Sequence, residues 1–171
     1  MIQGMEPALA ALGEFGLIDL IRRRIQERSP GMILGIGDDA AVLRSELDFD
    51  LVVTTDMLLE DVHFKRRWNL PRELGRKAIA VNLSDIAAMG GRPRYALLGL
   101  AIPRDGPSLE ELETLLAGME EEAAAHGVTL VGGDTCRSHS GLVLAVTVIG
   151  IVAPACALLR SGAKSGDSVW V

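Results

Sequence analysis

The stretch PRELGRKAIAVNLSDIAAMGGRPRYALLGLAI, residues 71–102, contains a complete helix signal followed by a strand signal. Pro71 suits the first turn of a helix, because its missing N–H needs no partner there. Apolar residues then recur at helical spacing until Gly90-Gly91 ends the pattern, and residues 95–102 are typical of a buried strand. Asp85 therefore falls in the last turns of the predicted helix.

The segments on either side predict a fold of the α+β class. Residues 14–28 have the apolar spacing of an amphipathic helix, and Ser108 with Glu111 forms a capping box that opens a helix running to His126-Gly127. Four further segments have strand patterns: residues 40–43, 51–55, 128–131 and 142–152. Because strands are grouped and only two main helices are available, we expect a mixed or antiparallel sheet covered on one face by helices.

Length sets the domain organisation. The 171 residues are 49% hydrophobic, which is enough for one domain with a core and too few for two full-sized domains. We expect a main domain over residues 1–153. Since the sequence stops inside the strand pattern of residues 168–171, we expect residues 154–171 to begin a C-terminal domain that is largely missing.

Composition excludes several classes of protein. A net charge of −6 argues against nucleic-acid binding through a broad basic surface. Cys136 and Cys156 are too few for a disulfide framework and lack metal-ligand spacing. No export signal is found, and polar and helix-breaking residues interrupt the longest apolar run, residues 142–157. We therefore expect a cytoplasmic protein without a membrane span.

Acidic residues beside Gly, Thr or Ser recur through the chain in segments that we expect to be chain reversals, apart from the helical Asp85. Mg²⁺ prefers oxygen ligands and is usually held by one or two carboxylates together with phosphates, so a site for several ions needs carboxylates from separate segments. The alternative is that each Asp only closes a turn or caps a helix. That alternative is weakest for Asp85, because a carboxylate inside an apolar helix is costly unless it is satisfied; Asn82 lies one turn earlier and could share its face. The candidate ligands are Asp39, Asp56, Asp85 and Asp134, with Thr54 and Thr55 as further oxygen donors.

Other motifs are weaker. Residues 35–40 match the dinucleotide pattern GxGxxA, but two aspartates occupy the turn and a strand pattern follows it. Residues 162–165 lack the spacing of a Walker A motif. His63 alone is more often a packing residue than a catalyst. Arg160, in a polar loop, is the best candidate for binding a phosphate.

Taken together, six segments form a specific pattern that spans nearly the whole chain. They are residues 13–18, residues 35–42, residues 54–58 with 62–64, residues 77–90, residues 131–135 and residues 160–164. In this order they closely resemble the thiamine-monophosphate kinases, within a superfamily that includes aminoimidazole ribonucleotide synthetase.

The resemblance implies a homodimeric enzyme whose sheet pairs with that of a second subunit, and which transfers the γ-phosphoryl of ATP to thiamine monophosphate with several Mg²⁺ ions. It implies that Asp39, Thr54, Thr55, Asp56, Asp85 and Asp134 bind Mg²⁺, that Gly133, Asp134 and Arg160 contact ATP, and that His63 contacts thiamine monophosphate. It implies no nucleophilic residue. Many relatives have glycine where this chain has Asp61.

Two alternatives stay open, one of them outside the enzymes and one within the same superfamily. The chain could be a non-catalytic nucleotide-binding or dimerisation module, or it could belong to an ATP-dependent relative acting on another substrate. Because later ligands are expected in the missing domain, we expect this polypeptide alone to be a weak or inactive kinase.

Overall fold

The computed structural model describes residues 15, 16, 19, 32–34, 38–45 and 48–168. Phe15, Gly16 and Asp19 are helical, and the rest of the predicted helix over residues 14–28 lies outside the described residues. Residues 35–37, the first part of the GxGxxA match, also lie outside them.

One six-stranded mixed sheet organises the described chain. Its strands are β1 (Met32–Leu34), β2 (Ala41–Arg44), β3 (Asp50–Leu59), β4 (Arg92–Pro103), β5 (Thr129–Ser138) and β6 (Val143–Val152). The spatial order is β1-β2-β3-β6-β4-β5. Neighbouring strands are antiparallel except β4 and β5, which are parallel. The predicted α+β class with a mixed sheet is confirmed.

Two helices cover one face of this sheet. Helix α1 spans Pro71–Ala88 with Pro at its start, and α2 spans Leu109–Ala125. The predicted capping box is present: the Glu111 N–H donates to Ser108 Oγ and the Ser108 N–H donates to Glu111. The two helices cross closely at Gly118, where an added Cβ would lie 2.0 Å from the Arg72 carbonyl oxygen. Both main helices therefore match their predictions.

Burial alternates along the sheet as the pleat requires. In β6 every second residue, from Leu144 to Val152, faces the helices and is buried, including Gly150. The intervening residues are half-buried. The opposite face is also apolar: Val53, Ile149 and Tyr95 form one transverse row across β3, β6 and β4. The core thus lies between the helices and one face of the sheet.

The placement of the acidic residues corrects one expectation. Asp56 lies inside β3, and Gly132, Gly133 and Asp134 lie inside β5. The paired glycines accompany a register irregularity opposite Ala96 and Leu97, and a Cβ at Gly133 would lie 1.8 Å from the Leu98 carbonyl oxygen. Glycine is needed there for close approach of two strands, so the prediction of a chain reversal was wrong.

Within the described residues, no helix is long and apolar enough to cross a membrane.

Candidate functional site

A hydrogen bond between β3 and α1 forms the centre of the acidic site. Thr54 Oγ1 donates to Asp85 Oδ2 at 2.8 Å. Thr54 is 6% exposed and points toward the helices, because it occupies an inward position of the strand. Asp85 lies near the C-terminal end of α1 on the side that contacts the sheet. The contact joins two residues 31 positions apart in sequence.

Asp39 joins this centre from the segment before β2. Its backbone carbonyl is 3.4 Å from Thr54 Oγ1. Its carboxylate pairs with the guanidinium of Arg160. Three predicted metal-binding residues, Asp39, Thr54 and Asp85, are therefore together, and the predicted phosphate-binding Arg160 contacts them.

Asp38 is a member of the site that sequence reasoning missed. Its side chain is only 7% exposed and accepts hydrogen bonds from the backbone N–H groups of Asp39 and Arg160, both at 3.0 Å. The Arg160 Nε lies 3.6 Å from Asp38 Oδ1. The adjacent pair Asp38-Asp39 was a visible signal, but only the fold shows that Asp38 anchors the segment carrying Arg160.

The segment after β6 brings Arg160 to this position. The Ala155 N–H donates to Asp50 Oδ2 at 3.1 Å, and the Leu158 N–H donates to the Met89 carbonyl at 3.0 Å. These bonds attach the segment to β3 and to the end of α1. Arg160, in a short 3₁₀ helix over Arg160–Gly162, is thereby held beside the carboxylates.

Electrostatics show an excess of negative charge at Asp85. Partial burial raises the pKa of Asp85, and the nearby carboxylates of Asp56 and Asp39 raise it further, whereas the Thr54 hydrogen bond and Arg160 lower it. The net effect is a raised pKa. Asp56 therefore belongs to the same electrostatic cluster as Asp85 and Asp39.

The donor chemistry of this cluster fits a hard divalent cation. Its carboxylate and hydroxyl oxygens are the ligand types that Mg²⁺ prefers, and Mg²⁺ keeps several waters at such sites. Among the described residues, no three carboxylate, imidazole or thiolate side chains form a group that could bind a metal ion by themselves. The cluster offers oxygen ligands from β3, α1 and the Asp39 segment, and it would leave the other coordination positions of a cation to water.

Other predicted site residues lie elsewhere. Thr55 faces the opposite side of β3, where its Oγ1 donates to the Val146 carbonyl and accepts from Thr147. Gly133 and Asp134 lie on exposed β5, three strands from β3, a separation of about 14 Å at ordinary strand spacing. The register places Asp134 in the transverse row of Met57 rather than that of Asp56. The structure does not bring these three residues to the Thr54–Asp85 centre.

His63 lies in the exposed loop that follows β3. Its Nδ1 accepts a hydrogen bond from the Leu59 N–H at 3.1 Å, so a neutral ring carries its proton on Nε2, which is available for a ligand. Lys77 on α1 donates to the His63 carbonyl at 2.8 Å. Asp61 in the same loop has a φ of 65°, a conformation that glycine adopts without strain.

A second polar arrangement lies at the end of β3. Glu60, whose side chain is 13% exposed, accepts from Arg66 Nε at 2.7 Å and from the Leu142 N–H at 2.9 Å. Burial alone would raise the pKa of Glu60, but these two partners outweigh it and lower the pKa. The arrangement adjoins an open cleft of about 650 Å³ that Arg104 and Arg137 also line.

Comparisons with known proteins indicate the same family as the sequence motifs. Residues 37–152 match the family described as AIR synthase related protein, N-terminal domain. The chain is 42% identical to the thiamine-monophosphate kinase of Bacillus subtilis (strain 168) over 160 residues, covering 94% of this chain and 49% of that protein. It is 45% identical to the enzyme of the same name from Mycobacterium tuberculosis (strain CDC 1551 / Oshkosh), covering 96% and 48%.

The fold is shared with a solved structure of AaThiL complexed with AMPPCP and TMP. The two agree with a TM-score of 0.81 and 35% identity, over 95% of this chain and 48% of that one. This chain thus spans about half the length of the relatives that it matches.

Proposed function

The chain belongs to the AIR synthase related protein family, and from this we propose that it forms the nucleotide- and metal-binding part of a thiamine-monophosphate kinase. The reaction transfers the γ-phosphoryl of ATP to thiamine monophosphate and gives thiamine diphosphate and ADP. Support comes from the relatives named thiamine-monophosphate kinase and from the fold shared with AaThiL in complex with AMPPCP and TMP.

The observation that carries the proposal is the Thr54–Asp85 hydrogen bond, with Asp39 and Asp56 beside it. Phosphoryl transfer between two phosphates brings anions together, so the main requirement is neutralisation of charge and in-line alignment. A cluster of carboxylates is suited to this only through bound cations. Asp39, Thr54, Asp56 and Asp85 can therefore act together on one cation, which acidic residues in separate turns could not do.

The proposed metal ligands are Asp39, Thr54, Thr55, Asp56, Asp85 and Asp134. Bound Mg²⁺ supplies charge neutralisation and orientation of phosphate oxygens. The chain's own part is to hold the carboxylates in place through Thr54 and to present a guanidinium. Arg160, with Gly133 and Asp134, is assigned to ATP, and His63 to thiamine monophosphate, for which its Nε2–H is a suitable donor.

We assign the residues that lie apart from the centre to other parts of the same reaction site. The apolar face of the sheet not covered by the described helices, including Val53, Tyr95 and half-exposed Met57, is suited to pairing with a second subunit in a homodimer. Exposed β5 would then contribute Gly133 and Asp134 from a strand at the edge of the sheet.

We also propose a domain boundary at residue 153, followed by the start of a second domain over residues 154–171. The boundary is supported by the end of β6 at Val152, by the end of the family match at residue 152, and by the greater length of the relatives. The free cysteines Cys136 and Cys156 are compatible with a reducing, cytoplasmic location.

A coupled assay of ADP formation tests the function. The complete protein containing this chain should form ADP from ATP when thiamine monophosphate and Mg²⁺ are both present. Asp85→Asn should lower kcat by about 100-fold, because it removes charge where the reacting phosphates meet cations. Asp48→Asn is the matched control, since Asp48 is exposed outside the cluster; it should leave turnover unchanged. Absence of ADP formation, or equal turnover by Asp85→Asn, would contradict the proposal.

A further inference from the structure

Asn82 on α1 has a buried oxygen without a hydrogen-bond partner. The residue is 0% exposed, and its Nδ2 donates to the Ala78 carbonyl at 3.1 Å. Among the described residues, no donor pairs with its Oδ1. Exchanging the two amide atoms does not remove the problem, because only the nitrogen can donate to a carbonyl. An unsatisfied buried acceptor of this kind destabilises the folded state, because it has lost its hydrogen bonds to water and gained none in the protein.

Asn82 lies beside the acidic cluster. It precedes Asp85 by three residues, and residues at this spacing share a helix face with their Cβ atoms about 5–6 Å apart. Helix α1 runs antiparallel to β3, because Ile86 and Val52 both lie within 3.5 Å of a Cβ added at Gly91, while Asp85 accepts a hydrogen bond from Thr54. The turn before Asp85, which carries Asn82, therefore lies level with Asp56, the next inward residue of β3.

The orientation of the amide points the free oxygen away from the start of the helix. Its nitrogen is turned back to Ala78, so Oδ1, on the other side of the same planar carbon, points away from the Ala78 carbonyl. The neighbouring Thr54 hydroxyl already donates to Asp85, and ionised carboxylates have no proton to donate. The partner that Oδ1 lacks is therefore a small hydrogen-bond donor that can also lie next to several negatively charged carboxylates.

A water molecule bound to a divalent cation meets this description. Such a water has two protons to donate, and the cation that binds it carries the positive charge that the carboxylates need. Asn82 is wholly buried whereas Asp85 is partly exposed, so a cation held by the carboxylates reaches the deeper amide oxygen through a water rather than directly.

We propose that Asn82 is a positioning residue of the cation site, whose Oδ1 accepts a hydrogen bond from a water bound to the divalent cation held by Asp56 and Asp85. This rests on the metal site of the proposed function. Asn82 fixes one water of the hydration shell and so favours Mg²⁺, which keeps its waters, over Ca²⁺, which exchanges them for protein oxygens more readily.

The test compares metal binding by three forms of the complete protein: wild type, Asn82→Leu and Asn82→Asp. Calorimetric titration with Mg²⁺ alone should show binding about tenfold weaker for Asn82→Leu, the size typical of a lost partner outside the ligands themselves. Ca²⁺ affinity should fall less. Asn82→Asp keeps an acceptor oxygen. Its Mg²⁺ affinity should therefore be higher than that of wild type or no more than about threefold lower.

Thermal unfolding without metal separates this role from a packing role. Leu has nearly the shape of Asn and removes the unpaired oxygen, so the metal-free Tm of Asn82→Leu should equal or exceed that of wild type. The rise in Tm that Mg²⁺ produces in wild type should be smaller in Asn82→Leu and retained in Asn82→Asp.

The possible results are distinct. If wild type binds Mg²⁺ and Asn82→Leu binds it equally well, the role of Asn82 is overturned while the proposed function stands. If wild type does not bind Mg²⁺, both are overturned. If Asn82→Leu fails to fold, weak Mg²⁺ binding by a folded Asn82→Asp protein would overturn the role, and wild-type-like binding would support it.

Discussion

Replacing Thr54 by valine tests whether the hydrogen bond to Asp85 holds the acidic site together. Valine keeps the shape of the side chain and removes the hydroxyl that donates to Asp85 Oδ2 at 2.8 Å. A hydrogen bond to a charged group contributes about 1.5–3 kcal/mol. Because Asp85 is partly exposed, the lower value applies. Thr54→Val should therefore lower the free energy of unfolding by about 1.5 kcal/mol, or about tenfold in the equilibrium constant.

The loss should depend on pH in a defined direction. Partial burial and the neighbouring carboxylates Asp56 and Asp39 raise the pKa of Asp85, and Thr54 opposes the rise. Without Thr54 the pKa rises further. A carboxyl group whose pKa is higher in the folded than in the unfolded state binds its proton more tightly when folded, so the free energy of unfolding falls as pH rises through the folded pKa. The defect of Thr54→Val should be larger at neutral pH than near the ordinary Asp pKa.

Urea unfolding without metal, at about pH 4 and about pH 7.5, measures both quantities. Thr147→Val is the matched control, because Thr147 donates at 3.0 Å to the uncharged hydroxyl of Thr55 on the other face of the sheet. The control should lose about 0.5–1.5 kcal/mol, independently of pH. An equal loss for Thr54→Val at both pH values, or no loss, would refute the reasoning about Asp85.

Three further changes test the packing and charge arrangement. Gly118→Ala places a methyl group against the Arg72 carbonyl and should cost about 1–3 kcal/mol in urea unfolding, whereas Gly162→Ala, with no atom within 4 Å of an added Cβ, should cost little; equal costs would contradict the close helix crossing. Asp61→Gly should stabilise the loop by about 1 kcal/mol in thermal unfolding because φ is 65°, and a lower Tm would be inconsistent with strain there. The lowered pKa of Glu60 means that its stabilisation is complete above the ordinary Glu pKa and is lost as pH falls through the lowered value. Glu60→Gln should thus lower the free energy of unfolding by about 1.5–3 kcal/mol at neutral pH and by less in acid. If the free energy of unfolding of the two proteins has the same dependence on pH, this reasoning is excluded.

The helices could be predicted because their boundaries are encoded locally. Pro71 starts α1, Gly90-Gly91 follows its end, and the Ser108–Glu111 capping box opens α2. Each signal acts within about one turn of helix, so no distant part of the chain can overrule it easily.

The glycines of β5 show where local reasoning fails. Gly132-Gly133 before Asp134 has the composition of a turn, yet the chain continues as a strand. Gly133 is required by a neighbour that lies more than 30 positions away: the backbone of Leu98, which leaves no space for a Cβ at that position. Sequence composition alone does not separate a glycine that bends the chain from one that permits close approach.

Site membership was predicted for Asp39, Thr54 and Asp85, but not the contacts that define the site. The pairing of Asp85 with Thr54 and of Asp38 with Arg160 depends on packing between distant segments. Side chains alternate between the two faces of a strand, so adjacent Thr54 and Thr55 lie on opposite faces of the sheet. A sequence motif of consecutive residues does not show this separation.

The charge balance of the cluster explains why these contacts matter together. Asp38, Asp39, Asp56 and Asp85 bring four carboxylates to one region, and Arg160 supplies one positive charge by pairing with the first two. Asp85 keeps a raised pKa despite the guanidinium and the Thr54 hydrogen bond, so the repulsion is only partly relieved. A doubly charged cation near Asp56 and Asp85 would relieve the remainder and lower the pKa of Asp85. Cation binding should then reduce the need for Arg160 to neutralise Asp39, leaving its guanidinium available to a phosphate.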